Sequence, residues 1–452
     1  MAGAATMAKD VPTNGSERMA QRGDREWGFR TRALHAGGGP DPTTGARAVP
    51  IYQSTSFVFE DTADAADLFA LQKFGTIYTR ISNPTVNAFE HRIASLEGGI
   101  GAVATSSGQA AELITVAALA GAGDHIVSSA QLYGGTRTLF EVTLRRFGVE
   151  TTFLASSDAD AYTAAIRPNT RAIHTEMVAN PSGAVPDLEG LSAVAHDAGI
   201  PLVVDSTCAT PYLCRPIEWG ADIVVHSATK FLGGHGTSLG GVVVESGRFP
   251  WDNGKFPWMT EPVASYGGLS WWGNFAEYGF LTRVRAEQLR DLGPSMSPFN
   301  AFLLLQGVET LPQRMDAHLA NTRAVVNFLV DHPAVSWVCW AGLPDHPDFE
   351  RAQRYLPNGA GAVVSFGVVG GRDAGRRFVE SVELCSHLAN IGDVRTLVIH
   401  PASTTHQQLD DDALTAAGVG PDLIRISVGL EDPDDILWDL DQALAAAVKA
   451  DS

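Results

Sequence analysis

A lysine, Lys230, stands in an unusual place in this sequence. It follows the apolar stretch "ADIVV", which is typical of a buried strand, and it opens into the glycine-rich run "FLGGHGTSLGG". Lysine is rarely buried unless it is paired or reacting. Two hydroxyl residues, Ser227 and Thr229, come just before it in "HSATK". Hydroxyls can bind phosphate oxygens and an amine can form a Schiff base with an aldehyde, whereas the plainer interpretation is a lysine that opens a surface loop.

Three further polar clusters follow predicted strands. "TSSGQAA" places Gly108 and Gln109 where a strand passes into a helix, and the free backbone N–H groups of a helix start favour a phosphate. Taken alone, the motif is more often a simple turn of small residues. "VVDST" ends an apolar strand with Asp205, which can cap a helix, bind a metal or pair with a protonated ring nitrogen. "LYGGT" offers Tyr133, whose ring can stack on a flat cofactor or only pack against its neighbours.

Pyridoxal phosphate (PLP) accounts for the four clusters together. Its aldehyde needs a lysine, its phosphate needs N–H and hydroxyl donors, and its pyridine nitrogen needs an acid that holds the ring proton. That proton makes the ring an electron sink for carbanions. The sequence therefore predicts a PLP site without a metal, in which Lys230 is the reactive amine.

The elements that must position these residues follow an α/β pattern. Strands alternate with helices from about residue 98 to residue 244, which predicts a mostly parallel central sheet flanked by helices. Ligands of such sheets bind at the carboxyl ends of the strands, where all four clusters lie. The predicted units are a disordered leader (1–26), an N-terminal arm with a linking helix (27–90), a PLP-binding α/β domain (91–292) and a smaller α+β C-terminal domain (293–452).

Composition excludes several classes of protein. The chain has 452 residues, 45% of them hydrophobic, so it can bury a sizeable core. Its net charge of -19 disfavours nucleic acid as a partner. The four cysteines form no CxxC pair, which favours a reduced compartment and no structural zinc. No apolar run approaches the roughly 20 residues of a membrane span, and the leader lacks the apolar core of a secretory signal, so a cytoplasmic location is expected.

The order of the motifs also resembles a known family. "YTRISNPT", "SSGQAA", "LYGGT", "EMVANPSG", "VVDST", "HSATK", "HPASTTH" and "IRISVGLED" are similar to the pattern of the Cys/Met-metabolism group of fold-type I PLP enzymes, over about residues 28–447. "FPWMTEP" and "SPFNAFLLLQGVETLPQRM" look most like its O-acetylhomoserine sulfhydrylase branch. The resemblance implies a PLP-dependent γ-replacement in methionine biosynthesis. O-acetyl-L-homoserine and sulfide, or a thiol such as methanethiol, would give L-homocysteine or L-methionine and acetate.

The resemblance implies a role for each matching residue at the cofactor. Lys230 would hold PLP through a Schiff base and move protons, Asp205 would pair with the pyridine nitrogen, and Tyr133 would stack on the ring and serve as a second base. Asn180 would lie beside the ring hydroxyl and Thr207 close to the ring. The residues implied for the phosphate are Gly108, Gln109, Ser227 and Thr229.

The family resemblance further implies an oligomer that shares active sites. Tyr78 and Arg80 of the "YTR" arm would reach the phosphate of a neighbouring subunit, Tyr78 also helping to deprotonate the incoming amine, in a tetramer built from two such dimers. Arg425 would bind the substrate carboxylate, a bidentate task suited to guanidinium. Asn390 would also lie at the substrate; lyase-type relatives have serine at this position, and asparagine suits the sulfhydrylase branch. Gln109 stands where many relatives have methionine, which matters little if its backbone N–H is the ligand.

Other functions remain open at the level of sequence. An O-succinylhomoserine sulfhydrylase, a cystathionine γ-synthase or a γ-lyase would share almost all these residues. A non-catalytic cofactor-binding scaffold would not need Lys230, Tyr133 and Arg425 together. A Ser-His-Asp hydrolase built from Ser107, His226 and Asp205 would leave Lys230 unexplained and lacks the G-x-S-x-G motif.

Overall fold

A computed structural model describes residues 26–155, 158–405, 407 and 419–448. All but the last residue of the predicted leader, 1–26, lies outside this part of the chain, as does the final histidine of "HPASTTH". None of the helices within the described ranges is long and apolar enough to cross a membrane.

Two β-sheets organise the described chain. The first has seven strands in the order β1-β7-β6-β5-β4-β2-β3, and all of them run in one direction except β7, which is antiparallel to both of its neighbours. Its strands are β1 (Gly101–Thr105), β2 (His125–Ser129), β3 (Glu150–Leu154), β4 (Thr170–Glu176), β5 (Leu202–Asp205), β6 (Ile223–Ser227) and β7 (Gly241–Glu245).

The second sheet is smaller and mostly antiparallel. Its order is β10-β11-β12-β9-β8, and only β10 and β11 pair in parallel. Its strands are β8 (Val335–Cys339), β9 (Val363–Val368), β10 (Ser386–His387), β11 (Leu397–Ile399) and β12 (Leu423–Ser427).

Helices cover the faces of both sheets. In the first half of the chain they are α1 (Phe29–His35), α2 (Thr62–Phe69), α3 (Pro84–Glu97), α4 (Gly108–Leu119), α5 (Gly134–Thr138), α6 (Ala159–Ala165), α7 (Leu188–Asp197) and α8 (Thr210–Leu213). In the second half they are α9 (Pro257–Thr260), α10 (Trp271–Phe275), α11 (Gly279–Arg283), α12 (Arg290–Leu292), α13 (Pro298–Glu309), α14 (Leu311–Asp331), α15 (Phe349–Tyr355), α16 (Gly371–Ser381) and α17 (Pro433–Val448).

The predicted fold class is confirmed by this architecture. The inner strands β5, β6 and β7 are almost entirely buried, because helices pack on both sides of a largely parallel sheet. The helix α3 runs seven residues past residue 90, where the sequence placed the end of the arm and its linking helix. Asn83 caps its start and Gly98, in the left-handed conformation with φ 79°, closes its end. The domain boundaries themselves stay a prediction.

Candidate active site

Lys230 lies just after β6 and is only partly exposed. Its ammonium Nζ donates a hydrogen bond to the side-chain oxygen of Asn390, which belongs to the segment that precedes the second sheet's β11. Burial lowers the pKa of Lys230, and the positive charge of Arg425 lowers it further. An amine with a lowered pKa is more often neutral, so Lys230 is suited to attack a carbonyl group.

Arg425 links the two sheets at this point. It lies on β12, and its guanidinium Nη2 donates to the backbone oxygen of Asn390 at 3.0 Å while Nη1 donates to the side-chain oxygen of Asn180 at 3.3 Å. Its Nε is buried and makes no hydrogen bond within the described residues, and burial lowers the pKa of the guanidinium. Lys230, Asn390, Arg425 and Asn180 therefore form one hydrogen-bonded group, although they come from four distant segments of the sequence.

Asp205 ends β5, and one of its carboxylate oxygens accepts the backbone N–H of Thr207 at 2.9 Å. Burial raises the pKa of Asp205 to about 6, the negative charge of Glu112 acts in the same direction, and the hydrogen bonds from Thr207 and the charge of His174 oppose it. A carboxyl group in this setting favours a positive partner, since a nearby cation would stabilise its ionised form.

Three buried polar residues beside Asp205 are not among those that the motifs predict. Glu176, on β4, is the register partner of Asp205 and accepts the backbone N–H of Tyr133 at 2.5 Å. Glu112, on α4, pairs with His174 of β4 at 3.1 Å. The sequence carries a signal for His174 and Glu176, since "HTE" ends a strand that is otherwise largely buried and an unpaired charge there would be costly. It carries no such signal for Glu112.

The start of α4 packs tightly against the end of β6. Ser107 caps the helix, its hydroxyl accepting the backbone N–H of Ala110 at 3.1 Å. A Cβ at Gly108 would lie 2.6 Å from the Cβ of Ser227, so only glycine lets the two segments approach this closely. Ser227 in turn donates its backbone N–H to the hydroxyl of Thr207 at 2.8 Å. Free helix N–H groups and hydroxyls thus meet here, which is the donor set that suits a phosphate.

Gln109, Thr229 and Tyr133 have protein partners of their own. The side-chain oxygen of Gln109 accepts the hydroxyl of Thr136 at 3.1 Å. The hydroxyl of Thr229 contacts both backbone groups of Gly240, at 3.0 and 3.2 Å, and so closes the loop between β6 and β7. Tyr133 precedes α5, and its side chain is half exposed, which leaves its ring free to stack on a ligand.

Tyr78 and Arg80 are both exposed, and no hydrogen bond in the described ranges joins them to the other predicted site residues. The guanidinium of Arg80 lies 5.5 Å from the centre of the Tyr78 ring and donates to the backbone oxygen of Arg290. The structure of one chain therefore presents the "YTR" arm at the surface.

The hydrolase alternative finds no support in this geometry. His226 is fully buried, and its Nε2 lies 2.6 Å from a carboxylate oxygen of Glu97. The hydroxyl of Ser107 is engaged in capping α4. A serine nucleophile would need the histidine as its base, and here the histidine is held by Glu97.

The sequence also matches the family model described as "Cys/Met metabolism PLP-dependent enzyme" over residues 30–445. The chain belongs to this family. The predicted cofactor class is thereby confirmed, since the Cys/Met-metabolism enzymes are PLP-dependent.

Curated relatives within the family are similar along nearly their whole length. The chain is 52% identical to sulfhydrylase FUB7 of Fusarium oxysporum over 93% of this chain and 98% of the relative. It is 50% identical to the O-acetyl-L-homoserine sulfhydrylase of Leptospira meyeri over 92% of this chain and 96% of that one. The predicted resemblance to the sulfhydrylase branch is confirmed by these relatives.

A solved structure of a Cys/Met-metabolism relative has the same fold. It is a putative O-acetylhomoserine (thiol)-lyase from Campylobacter jejuni that carries N'-pyridoxyl-lysine-5'-monophosphate, with a TM-score of 0.89 and 38% identity over 93% of this chain and all of that chain.

The residues of this chain fit PLP by their chemistry. A lysine of lowered pKa suits the aldehyde, and the carboxyl of Asp205 suits a protonated pyridine nitrogen. The helix start at Gly108, packed onto Ser227, suits the phosphate. The buried Nε of Arg425, without a hydrogen-bond partner in the described chain, suits an added carboxylate.

Proposed function

We propose that this protein is an O-acetyl-L-homoserine sulfhydrylase, which replaces the acetyl ester of O-acetyl-L-homoserine by sulfide or a thiol and releases acetate. One observation carries the proposal beyond PLP binding. Asn390 joins the amine of Lys230 to the guanidinium of Arg425, through its side-chain oxygen on one side and its backbone oxygen on the other. Asn390 thus contacts both the Lys230 amine, proposed to move protons, and the Arg425 guanidinium, proposed to bind a carboxylate. An amino-acid substrate needs these two groups close together.

Each residue of this group has a task in the reaction. When bound, PLP supplies an aldehyde for the substrate amine and a protonated ring that withdraws electrons from Cα. Arg425 binds the substrate carboxylate and so fixes the direction of the Cα–H bond. Lys230 would take the proton from Cα and then one from Cβ, since its lowered pKa makes the amine a base. Acetate leaves from Cγ, sulfide adds there, and Lys230 returns the protons.

Other residues of the chain hold the cofactor during these steps. Asp205 keeps the ring nitrogen protonated, and Tyr133 covers the ring. Thr207, hydrogen-bonded to Asp205, and Asn180, hydrogen-bonded to Arg425, would help to hold the ring. The residues proposed for the phosphate are Gly108, Gln109, Ser227 and Thr229, joined by Tyr78 and Arg80 of a second subunit.

The proposed assembly is a tetramer made of two dimers that share active sites. Several large apolar side chains of the N-terminal arm are exposed in the single chain, which a second copy of the chain would cover. They are Ile51, Val58, Phe59, Phe69, Phe74 and Tyr78.

The test is product analysis with two esters. The purified protein with PLP and sulfide should convert O-acetyl-L-homoserine to homocysteine and acetate at least about tenfold faster, by kcat/KM, than it converts the O-succinyl ester. A preference for the O-succinyl ester, or cystathionine formation with cysteine, would assign the chain to another branch of the family. Release of 2-oxobutanoate and ammonia from the ester, without sulfide incorporation, would instead identify a γ-lyase.

A further inference from the structure

A glutamate and a histidine form a buried pair near the end of β5 that carries Asp205. The imidazole Nε2 of His174 lies 3.1 and 3.3 Å from the two carboxylate oxygens of Glu112, and each residue is only 1% exposed. The ring of Phe140 meets the imidazole edge-on, with the ring centres 4.9 Å apart. The mechanism derived above uses neither member of this pair.

The pair lies directly beside Asp205. His174 and Glu176 are two residues apart on β4 and so face the same side of the sheet. Glu176 is the register partner of Asp205, and His174 is the partner of Val203, two residues earlier on β5. The titratable groups that act on Asp205 are therefore Glu112 from α4, His174 and Glu176 from β4, and the Cys208 thiol from the turn after β5.

The charges of this cluster must balance, because a buried group of ions tolerates little net charge. Burial, and next the charge of Asp205, raise the pKa of Glu176 well above its usual range, which favours its neutral form. Burial alone would lower the pKa of His174, but the charge and hydrogen bond of Glu112, and then the charge of Asp205, raise it above its ordinary value. His174 thus lies between the carboxyl groups of Glu112 and Asp205 and is the member of this cluster that can carry a positive charge.

We propose that His174 is a positioning residue that acts through its charge: its imidazolium is the counter-cation that lets Asp205 remain ionised beside Glu112 and so keep the proton on the ring nitrogen. Glu112, in turn, keeps His174 protonated. This inference rests on the proposed function only in that PLP binds next to Asp205.

The charge balance predicts that one of three variants changes the protonation of the ring nitrogen and that the other two do not. In His174→Gln the two carboxyl groups lose their counter-cation, so Asp205 becomes a stronger base and the proton that it shares with the ring nitrogen shifts towards Asp205. The ratio of protonated to neutral ring nitrogen should fall about tenfold or more. In Glu112→Gln, His174 becomes neutral and the balance between Asp205 and the ring is kept. The double variant Glu112→Gln/His174→Gln removes both charges and therefore restores the titration of the wild-type enzyme.

The measurement is the pH titration of the ¹⁵N chemical shift of the pyridine nitrogen, in each full-length protein loaded with ¹⁵N-labelled PLP. The proposal is supported if the ring nitrogen is less protonated in His174→Gln than in the wild type and regains its wild-type protonation in the double variant. An unchanged titration in His174→Gln overturns it. A loss of ring-nitrogen protonation that also occurs in the double variant overturns it too, because a merely structural role would give that result. If His174→Gln does not fold, the double variant must still titrate as the wild type does, and a lowered value overturns the proposal.

A second buried pair supplies the matched control. His226 and Glu97 are fully buried and 2.6 Å apart, on β6 and α3, and neither is among the groups that act on Asp205. His226→Gln should lower the melting temperature and leave the ring-nitrogen titration unchanged; a shift equal to that of His174→Gln would overturn the proposal. Since no ester or sulfide is present, a wrong substrate assignment does not affect the result, and a chain that fails to bind PLP is recognised by its lack of signal.

Discussion

At the scale of single residues, the reactivity of Lys230 comes from its surroundings. Lysine ordinarily keeps its charge in water, but here burial and the guanidinium of Arg425 both lower its pKa. The same features that make an unpaired ammonium costly make the neutral amine available for an aldehyde. Its contact with Asn390 fixes where that amine points.

Lys230→Ala should reduce turnover by at least about 10³-fold, because both the Schiff base and the proton carrier are lost. Some PLP should remain bound non-covalently through the phosphate and ring contacts. In the wild-type enzyme, borohydride reduction followed by peptide mapping should place the pyridoxyl label on Lys230. The matched control is Lys255→Ala, which should keep its turnover; a label on Lys255 or Lys73 would refute the assignment.

Asp205 shows that a functional residue can be costly to the folded chain. Its pKa of about 6 in the folded protein lies above the value of 3.8 that an unperturbed aspartate has. Without PLP, its stabilising contribution is therefore complete below about pH 3.8 and is lost as the pH rises through about 6. At pH 8 the chain carries the full cost of the buried charge.

Asp205→Asn should consequently raise the melting temperature of the PLP-free protein at pH 8, by a degree or more, and have less effect at pH 4. The same change should lower kcat by about 100-fold, since the ring nitrogen loses its anionic partner. Calorimetry at the two pH values and steady-state kinetics at pH 8 measure both effects. Unaltered turnover would reduce Asp205 to a structural role.

The residues that chemistry singles out were easier to predict than the residues that support them. Lys230 and Asp205 are conspicuous because charged residues rarely end apolar strands. Glu112 lies on a helix, 62 positions before His174, and nothing in the local pattern says which strand it will face. Long-range pairs of this kind depend on the packing of α4 on the sheet, which residue types and spacing alone do not determine.

At the scale of elements, the approach of α4 to β6 depends on one glycine. A Cβ at Gly108 would meet the Cβ and Cα of Ser227 at 2.6 and 2.9 Å, and neither atom can move without shifting the strand end. Gly134 also begins a helix after a strand, but a Cβ there would have no atom within 4 Å. Packing therefore requires glycine at Gly108, whereas Gly134 begins a helix without any such packing requirement.

Gly108→Ala should push the helix start away from Ser227 and weaken PLP binding about tenfold or more, because the N–H donors would move relative to the hydroxyls. Gly134→Ala, the control, should bind PLP nearly as the wild type does. Titration of the PLP-free proteins with PLP, followed by absorbance, gives both dissociation constants. Equal affinities in the two variants would mean that the phosphate is not bound at this helix start.

The alternation of elements was predictable, but one strand direction was not. Residues 98–244 show apolar runs and helical stretches in turn, and the predicted mostly parallel sheet is confirmed. The strand β7 is nevertheless antiparallel to β6. A parallel crossover needs a helix or a similarly long connection, whereas the chain between Ser227 and Gly241 contains only turns. Because β7 is apolar on both faces, its composition carries no information about direction.

At the scale of the whole molecule, residues 51–80 of the N-terminal arm present the surface on which the proposed assembly depends. Val58 is almost fully exposed and Phe69 is exposed by more than half, so the single chain presents an apolar surface that favours a partner. Tyr78 and Arg80 lie in the same arm and make no hydrogen bond to the other proposed site residues within the described chain. In a two-fold dimer each arm would complete the site of the other subunit.

Mixing two inactive variants tests this arrangement. Arg80→Ala removes a residue that each subunit contributes to the active site of its neighbour. Lys230→Ala removes a residue of the subunit's own active site. In a mixed dimer one of the two sites is fully wild-type and the other carries both changes. Random exchange of equal amounts should therefore restore about a quarter of the wild-type activity, since half of the dimers are mixed and each has one good site.

Activity is restored only when the two altered residues of one site come from different subunits. A mixture of two variants altered in the same subunit's site is therefore the control. Asp205 ends β5 and Lys230 follows the neighbouring strand β6 of the same chain. Lys230→Ala mixed with Asp205→Asn therefore leaves every site with one defect and should restore nothing. Native mass spectrometry of the mixtures confirms that subunits have exchanged. If exchange is complete and the Arg80→Ala and Lys230→Ala mixture stays inactive, the arm serves its own chain and each subunit holds a complete site.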